Sequence, residues 1–505
     1  MSKKKTSVTE TTEVIEIKVT ETVAADGAGT TETVGETAAV REPATETPMT
    51  EGEGATCAET SEPTGFAARL RSAFGRAFRR RPRDNAHYIT TKESNRISRE
   101  NMRITRMYEK RKRRSVPESE YLTEMRDPHN VVEFDDLHTY FFTDTGVVKA
   151  VNGVTFDIPE KTIVGVVGES GCGKSITSMS LMQLVQAPQG QIVSGSIRFR
   201  SERLIPDGTE PMVEERIGED GKPETVPLLD KKGNPRVRPK YRREPQTVDI
   251  AKLPLSEMRK IRGREISMIF QEPMTSLNPV FTIGYQLDEV TLLHVPGATK
   301  EDAKRRSLEM LTMVGIAMPE RVYKSYPHEL SGGMRQRVMI AIAIACNPKL
   351  IIADEPTTAL DVTIQAQILN LLRDLRRKLN SSIMLITHDL GVIAEMADYV
   401  VVMYAGKVVE RGTAHEIFKD PRHPYTIGLQ KSKPMVNEKV DRLFSIPGQV
   451  PNPINMPTYC YFRDRCDRCT ERCAGAYPGM IQISPTHYVA CHLYDEEGGN
   501  TSDEG

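Results

Sequence analysis

The sequence contains no tryptophan, and aromatic residues make up only 6% of it. It also lacks an apolar segment of about 18 residues, the length that a membrane-spanning helix requires. The first residues, MSKKK, are followed by Thr and Glu instead of an apolar signal core. We therefore expect a protein that stays in the cytoplasm. A large net charge is lacking too, since the formal charge is -1, although acidic and basic stretches follow one another along the chain.

Cysteine is scarce over most of the chain and concentrated at one end. Five of the eight cysteines lie between residues 460 and 491. In a reducing compartment such crowding favours metal binding over disulfides. The length of 505 residues, with 38% hydrophobic residues, allows a sizeable core and predicts two or three folded units.

The amino-terminal quarter has little that could form a core. Residues 1–64 are rich in Thr, Glu, Ala and Gly, so we expect a disordered acidic tail. Residues 65–127 form a basic extension, in which FAARLRSAFGRAFRRR (66–81) has the spacing of a basic amphipathic helix. A second basic run extends from Arg106 to Arg114. Both runs are typical of contacts with anionic lipid or an acidic partner, but a solvated arm fits equally well.

Compact structure is expected from about Asn130, where VVEFDDLHTYFF alternates like a half-exposed strand. Farther on, the apolar runs ISMIF, LIIA and SIMLIT alternate with helical patterns at about 300–314 and 364–378. Buried strands separated by helices predict an α/β fold with a parallel sheet covered on both faces. The polar segment at about 200–252 has no clear period and is interpreted as a surface insertion.

A phosphate-binding loop is the strongest local signal. GESGCGKS begins at Gly168, directly after the strand pattern TIVGVV and before a helical pattern. Glycines allow backbone amides to face phosphate oxygens, Lys174 can reach the β and γ phosphates, and Ser175 can ligate magnesium. In this loop Cys172 is expected to be a small filler, although a reactive thiol is the alternative. The predicted nucleotide-binding residues are Gly168, Glu169, Ser170, Gly171, Cys172, Gly173, Lys174, Ser175 and Ile176.

Two carboxylates follow the apolar run LIIA. Asp354 and Glu355 would lie at the carboxyl end of a second strand, where the ligand sites of parallel sheets form. Asp354 suits magnesium. Glu355 is placed to accept a proton from the water that attacks the γ-phosphoryl group.

The segment LSGGMRQR, at Leu330 to Arg337, separates transport ATPases from kinases, helicases and GTPases. With it the chain resembles the ABC ATPase family over about residues 131–425. The resemblance implies a P-loop domain with a parallel core sheet, an antiparallel β subdomain and a helical subdomain. It also implies that Ser331, Gly332 and Gly333 present a helix N-terminus to the γ-phosphate of ATP on an opposing subunit, a role that a serine cap and bare glycine amides suit.

The resemblance extends to further single residues. Gln271, in MIFQEP, resembles the glutamine that contacts the magnesium region and couples it to the membrane subunit. His388, in LITHDL, resembles the switch histidine at the γ-phosphate, and Asp361, in TTALD, a residue that crosses the dimer interface. The implied catalytic residues are thus Glu355, His388, Lys174 and Gln271. For the aromatic ring that stacks on adenine, Phe142 is our choice among three neighbours, Tyr140, Phe141 and Phe142.

Segments such as QEPMTSLNP, HPYTIGLQKSKP and IPGQVPNP resemble D-type ATPase subunits of peptide and nickel importers. That family implies ATP and Mg²⁺, two permease subunits, a second and different ATPase chain, an extracytoplasmic solute-binding protein, and a peripheral position on the cytoplasmic face of the bacterial inner membrane. Dipeptides or oligopeptides are the expected cargo, with nickel or another solute as the alternative. A soluble ABC ATPase acting on nucleic acid is a further alternative, but no second cassette or long coiled coil supports it, and no nucleic acid partner is expected.

The same resemblance assigns the cysteines near the carboxyl end. Cys460, Cys466, Cys473 and Cys491 match the spacing of D-type subunits, which implies a [4Fe-4S] cluster. Cys469 is surplus and could pair with Cys466 as a zinc-binding CxxC instead, and unligated thiols are the remaining alternative. The predicted domains are an ATPase domain at 128–425, a cysteine-rich extension at 426–495 and an acidic tail at 496–505.

Overall fold

The computed structural model describes residues 89–112, 116–217, 223–229, 232–358, 360–432, 444–454 and 456–495. The described residues belong to one compact unit. The predicted acidic tails, residues 1–64 and 496–505, lie outside the described residues, as does the predicted helix at 66–81. None of the described helices is both long and apolar enough to cross a membrane.

The strands belong to three sheets. They are β1 (Leu122–Thr123), β2 (Asn130–Thr143), β3 (Gly146–Pro159), β4 (Ile163–Val167), β5 (Gly190–Pro211), β6 (Val213–Ile217), β7 (Pro223–Pro227), β8 (Val237–Asp249), β9 (Ile266–Ile269), β10 (Leu350–Asp354), β11 (Ser382–Ile386), β12 (Tyr399–Tyr404), β13 (Lys407–Thr413), β14 (Ile481–Gln482) and β15 (Tyr488–Val489).

The helices lie mostly between these strands. They are α1 (Thr91–Lys112), α2 (Glu118–Tyr121), α3 (Lys174–Leu181), α4 (Leu255–Ile261), α5 (Pro273–Ser276), α6 (Ile283–His294), α7 (Lys300–Met313), α8 (Pro319–Lys324), α9 (Gly332–Ile344), α10 (Val362–Leu379), α11 (Leu390–Met396), α12 (Ala414–Lys419) and α13 (Pro424–Lys431). The helices predicted at about 300–314 and 364–378 are therefore confirmed as α7 and α10.

The core sheet has a parallel part in the order β9, β10, β11, β4 and β12. Strands β4, β10 and β11 are buried at every position, and apart from Asp354 and Ser382 they contain no polar side chains, as expected for strands covered on both faces. Along β10, Ile351 and Ala353 pack in one core with the helices, whereas Leu350 and Ile352 pack in a second core beneath the antiparallel sheet. The predicted parallel sheet with two covered faces is confirmed, and it brings the ends of β4, β10 and β11 to one edge.

The antiparallel sheet has the order β1, β8, β5, β2 and β3. It includes both ends of the segment at about 200–252, which the sequence predicted to be a surface insertion without a clear period, whereas β6 and β7 pair in a sheet of their own. Most of the segment's side chains are exposed, but β5 and β8 pair from Arg198 with Asp249 as far as Pro211 with Val237. The segment is therefore a long β-ribbon. Its pairing is set by the partner strand, since Lys, Arg, Glu and Pro have low strand propensity.

The predicted basic extension contributes an ordered helix, α1. One side of α1 contacts the end of β2, where Asn101 Nδ2 donates to the Thr143 carbonyl at 2.7 Å. The glutamine side chain of Gln191 on β5 donates to Glu109 at 2.8 Å. The amino-terminal part of the second basic run, from Arg106 to Lys112, thus lies on a helix that is fixed to the antiparallel sheet.

The cysteine-rich extension packs as part of the same unit as the predicted ATPase domain. Its strand β15 pairs with β13 of the core sheet, with Val489 opposite Glu410. At another point the Lys149 amide of β3 donates to the Pro453 carbonyl at 3.1 Å. Tyr461 and Phe462 are buried in the core that covers the helical face of the sheet. The extension therefore docks on both sheets.

Candidate functional site

The phosphate loop lies between buried strand β4 and helix α3, the context that its sequence predicted. Gly168 and Gly173 have φ values of +151° and +102°. A Cβ on Gly168 would lie 2.1 Å from the Met403 carbonyl oxygen, and one on Gly173 would lie 2.4 Å from that of Ala150. Only glycine fits at either position without displacing backbone. Gly171, by contrast, has open space around it.

The loop is folded around the lysine side chain. Lys174 is buried, and its ammonium group donates to the carbonyls of Gly168 at 2.8 Å and Glu169 at 3.1 Å. Phosphate oxygens could replace these carbonyls as acceptors. Cys172 is 1% exposed, and burial raises the pKa of its thiol. This disfavours the reactive thiolate and is consistent with the filler role.

The residues predicted to bind magnesium come together. The Ser175 hydroxyl at the start of α3 donates to Asp354 Oδ1 at the end of β10, at a distance of 3.1 Å. Burial raises the pKa of the Asp354 carboxyl, and the hydrogen bond from Ser175 opposes that rise. A divalent cation would favour the ionised carboxylate. A hydroxyl and a carboxylate beside a phosphate loop form the oxygen donor set that Mg²⁺ prefers.

Glu355 contacts two of the other predicted catalytic residues, Gln271 and His388. Its Oε2 accepts from Gln271 Nε2 at 2.9 Å and from the Thr358 hydroxyl at 3.0 Å, and its Oε1 lies 3.2 Å from His388 Nδ1. A carboxylate can only accept, so Nδ1 has the proton in this arrangement. Glu355 itself has φ +47°, a conformation that is rare for residues with a side chain and is common at active sites.

The predicted cross-dimer residues lie side by side. Ser331 is the N-cap of α9, where its hydroxyl accepts from the Met334 amide at 3.4 Å. Asp361 is the N-cap of α10 and accepts from the Ile364 amide at 3.0 Å. A Cβ on Gly333 would lie 3.0 Å from Ile364 Cγ2. The amino-terminal ends of the two helices thus border each other, and Gly332 and Gly333 leave the amides of α9 uncovered by side chains of their own.

The ring predicted to stack on adenine, Phe142, lies beneath helix α1. It is only 8% exposed and stacks on Tyr108 of α1 with the centroids 6.3 Å apart. Half-buried Phe141 borders Gly190 together with Val185, which follows α3. The role of Phe142 at adenine stays a prediction, with Phe141 as the more accessible neighbour.

The described cysteines are all free thiols. Burial, together with three neighbouring thiols, Cys460, Cys466 and Cys473, raises the pKa of Cys491 to about 12. The four predicted cluster ligands are therefore neighbours, whereas Cys469 is exposed. Within the described ranges, however, no three His, Cys, Asp or Glu side chains are arranged so as to hold a metal ion. The iron–sulfur cluster is not confirmed and stays a prediction.

Three contacts at the site could not be found from local sequence patterns. The Tyr425 hydroxyl accepts from the Glu169 amide at 2.8 Å. The Gln336 amide on α9 donates to the Pro356 carbonyl at 2.6 Å and so ties α9 to the residue after Glu355. Arg465 contacts Glu169, 296 positions away. Each contact joins distant parts of the chain and leaves no periodic signal.

Two family models match the sequence. "ABC transporter" matches residues 151–218 and 237–358, and the gap between these segments falls in the β-ribbon. "Oligopeptide/dipeptide transporter, C-terminal region" matches residues 409–473.

Curated relatives cover most of the chain. The oligopeptide transport ATP-binding protein AppD of Bacillus subtilis is 46% identical over 372 residues, which are 74% of this chain and 99% of AppD. The dipeptide transport ATP-binding protein DppD of the same organism is 42% identical over 72% of this chain and 95% of its own length. Among solved structures, the dimeric ATP-binding cassette MJ0796 bound to ADP and Pi aligns with a TM-score of 0.42 and 23% identity, over 56% of this chain and 98% of that one.

Proposed function

The chain belongs to the ATP-binding subunits of ABC transporters for oligopeptides and dipeptides, and from this premise we propose how its residues power peptide import. The observation that supports the proposal best is the group around Glu355, in which one carboxylate is shared by Gln271, Thr358 and His388 beside the phosphate loop. These residues match the needs of phosphoryl transfer, which depends on positioning and charge stabilisation.

In the proposed reaction, one ATP lies between the phosphate loop of this chain and the corresponding helix N-terminus of a second ATPase chain. The Ser331 end of α9 contacts the ATP that is held by the second chain. Lys174 leaves the carbonyls of Gly168 and Glu169 and donates to the β and γ phosphates. Magnesium, held by Ser175 and Asp354, neutralises phosphate charge when bound. Glu355 accepts the proton of the attacking water. His388 then has to leave Glu355 and exchange the proton on Nδ1 for one on Nε2, or take up a second proton, before Nε2 can donate to the γ-phosphate.

The membrane partners are proposed to dock on an apolar patch that follows the Gln271 loop. Val280 is 73% exposed and Tyr285 is 55% exposed, while the Tyr285 ring stacks on Phe281 with centroids 4.6 Å apart. Helix α5 and a short turn are all that separate Gln271 from this patch. Movement of Gln271 at the γ-phosphate can thus reach a permease subunit through a short path.

The test of this partnership is purification of the chain from gently solubilised membranes, followed by mass spectrometry. We expect two permeases, a second ATPase and an extracytoplasmic peptide-binding protein to be recovered. Val280→Asp should reduce recovery of the permeases and leave ATP binding intact. Leu229→Asp on the β-ribbon, where the leucine is 56% exposed, is the matched control. Recovery of only soluble or nucleic-acid-binding partners would contradict the proposal.

The chain is further proposed to sit on the cytoplasmic face of the bacterial inner membrane, where α1 adds a basic surface. Helix α1 exposes seven basic residues, Lys92, Arg96, Arg99, Arg103, Arg106, Lys110 and Arg111. We expect salt-sensitive binding to vesicles that contain anionic lipid and none to neutral vesicles. Equal binding to both would argue against a lipid contact.

The four neighbouring thiols are proposed to ligate a [4Fe-4S] cluster. Four buried or half-buried thiols in a loop-rich segment suit that group, and ligation would give a small extension with little core a rigid centre. Protein isolated without oxygen should contain iron and acid-labile sulfide in equal amounts. Cys473→Ser should lose both, while Cys469→Ser should retain them. Zinc without sulfide, lost in the Cys469→Ser variant, would favour the CxxC alternative.

A further inference from the structure

Glu169, the second residue of the phosphate loop, is held at each of its polar groups. Its carboxylate accepts from both terminal nitrogens of Arg465, at 2.7 Å and 2.9 Å. Its amide donates to Tyr425 at 2.8 Å, and its carbonyl accepts from Lys174 at 3.1 Å. The backbone after Gly168 is therefore fixed from three directions, and two of the three come from residues beyond position 420.

Arg465 lies in the cysteine-rich extension, at the end of the short 3₁₀ helix Arg463–Arg465, and its side chain is only 6% exposed. Its guanidinium also donates to the carbonyl of Pro447 at 2.9 Å and to the Tyr404 hydroxyl at 3.3 Å. A planar guanidinium that meets a carboxylate with two parallel hydrogen bonds fixes its position more strictly than a lysine could. One side chain thus joins the extension, the end of β12 and the phosphate loop.

We propose that Arg465 is a positioning residue for ATP, which holds Glu169 and the phosphate-loop backbone in the shape that binds nucleotide. The inference rests on the proposed role of the phosphate loop. It makes the docked extension part of the nucleotide site. Because coupling between two sites is reciprocal, ATP must also stabilise the extension around Arg465.

Loss of the Arg465 side chain should leave the extension docked. Strand β15 still pairs with β13, and the Lys149 amide still donates to the Pro453 carbonyl. A folded Arg465→Gln variant is therefore expected. Glu169→Gln provides a second variant, since it removes the same ion pair from the half-exposed partner.

The experiment uses the full chain in its membrane complex, with ATP as the ligand. Arg465→Gln and Glu169→Gln should each raise the Kd and KM for ATP roughly 5- to 150-fold, the usual range for coupled sites, with kcat at saturating ATP nearly unchanged. The double variant should bind ATP no more weakly than either single variant, because both substitutions remove the same ion pair. Arg465→Lys should recover part of the affinity. Arg463→Gln is the matched control, since Arg463 lies in the same short helix as Arg465 but places its guanidinium over the Tyr459 ring.

Hydrogen exchange gives a readout other than activity. ATP should slow amide exchange in peptides that contain Pro447 and Arg465, and this effect should vanish in Arg465→Gln but not in Arg463→Gln. Unchanged ATP affinity in both ion-pair variants, or an equal loss in Arg463→Gln, would overturn the inference. Lys174→Ala separates the two levels. If Lys174→Ala still binds ATP, the proposed function fails. If Lys174→Ala loses ATP binding while Arg465→Gln and Glu169→Gln retain it, only the proposed role of Arg465 is overturned.

Discussion

Replacing Glu355 with glutamine should stop ATP hydrolysis without weakening ATP binding. The amide oxygen of glutamine can take the place of Oε2 and still accept from Gln271 and Thr358, which lie 2.9 Å and 3.0 Å away. The amide nitrogen then faces His388, whose Nδ1 can become an acceptor in its other tautomer. Each hydrogen bond of Glu355 is thus replaceable, and only its ability to accept a proton is lost.

The expected fall in kcat follows from the loss of this proton acceptor alone. General base catalysis contributes about 10²- to 10⁴-fold, so kcat should fall by that factor, or roughly 3 to 5 kcal/mol in activation free energy. Phosphate release under saturating ATP measures kcat, and fluorescence titration with a labelled ATP measures Kd. Glu395→Gln, which removes an exposed carboxylate paired with Arg373, is the control. A kcat within tenfold of the unmodified chain, or a parallel loss of ATP binding, would refute the role of Glu355 as base.

Two further predictions concern the phosphate loop and pH. Gly168→Ala would place a methyl group 2.1 Å from the Met403 carbonyl at φ +151°, so the free energy of unfolding should fall by roughly 2 to 5 kcal/mol in urea titrations, and more than for Gly171→Ala, where the space is open. Burial lowers the pKa of His423 from 6.5 to about 4, against the opposing charge of Glu410. The unfolded chain therefore takes up this proton first, so stability is complete above pH 6.5 and falls by up to about 3 kcal/mol as the pH drops from 6.5 to 4. His423→Asn keeps a side-chain acceptor at the start of α13 and should flatten that part of the curve; an unchanged slope would show that other groups cause it.

Many of the site residues at the ends of β4, β10 and β11 could be predicted because they belong to local sequence patterns. The run LIIA is apolar at every position, as a strand buried on both faces must be, and it became β10 with Asp354 at its end. The loop at Gly168 needs glycines for steric reasons that hold in any protein. The alignment of β10 and β11 then brings Glu355 to His388, as expected where neighbouring parallel strands end.

The parts that were not predicted depend on contacts between distant segments. Polar residues of the ribbon are strand residues only because β5 and β8 face each other, and neither strand has a clear period. Phe142 was chosen among three neighbouring rings that the spacing does not distinguish, and its ring stacks on Tyr108 of α1, a helix that the sequence did not predict. Arg465 resembles any other arginine in a polar loop until the fold places it against Glu169.

The most direct measurement for the central claim is uptake of a labelled oligopeptide by membrane vesicles that contain the complete complex, with ATP on the side of this chain. We predict that the unmodified complex accumulates peptide only with ATP, and that a complex with Glu355→Gln binds ATP but accumulates none. Accumulation at the unmodified rate by that variant, or ATP hydrolysis by the unmodified complex without peptide uptake, would contradict the account.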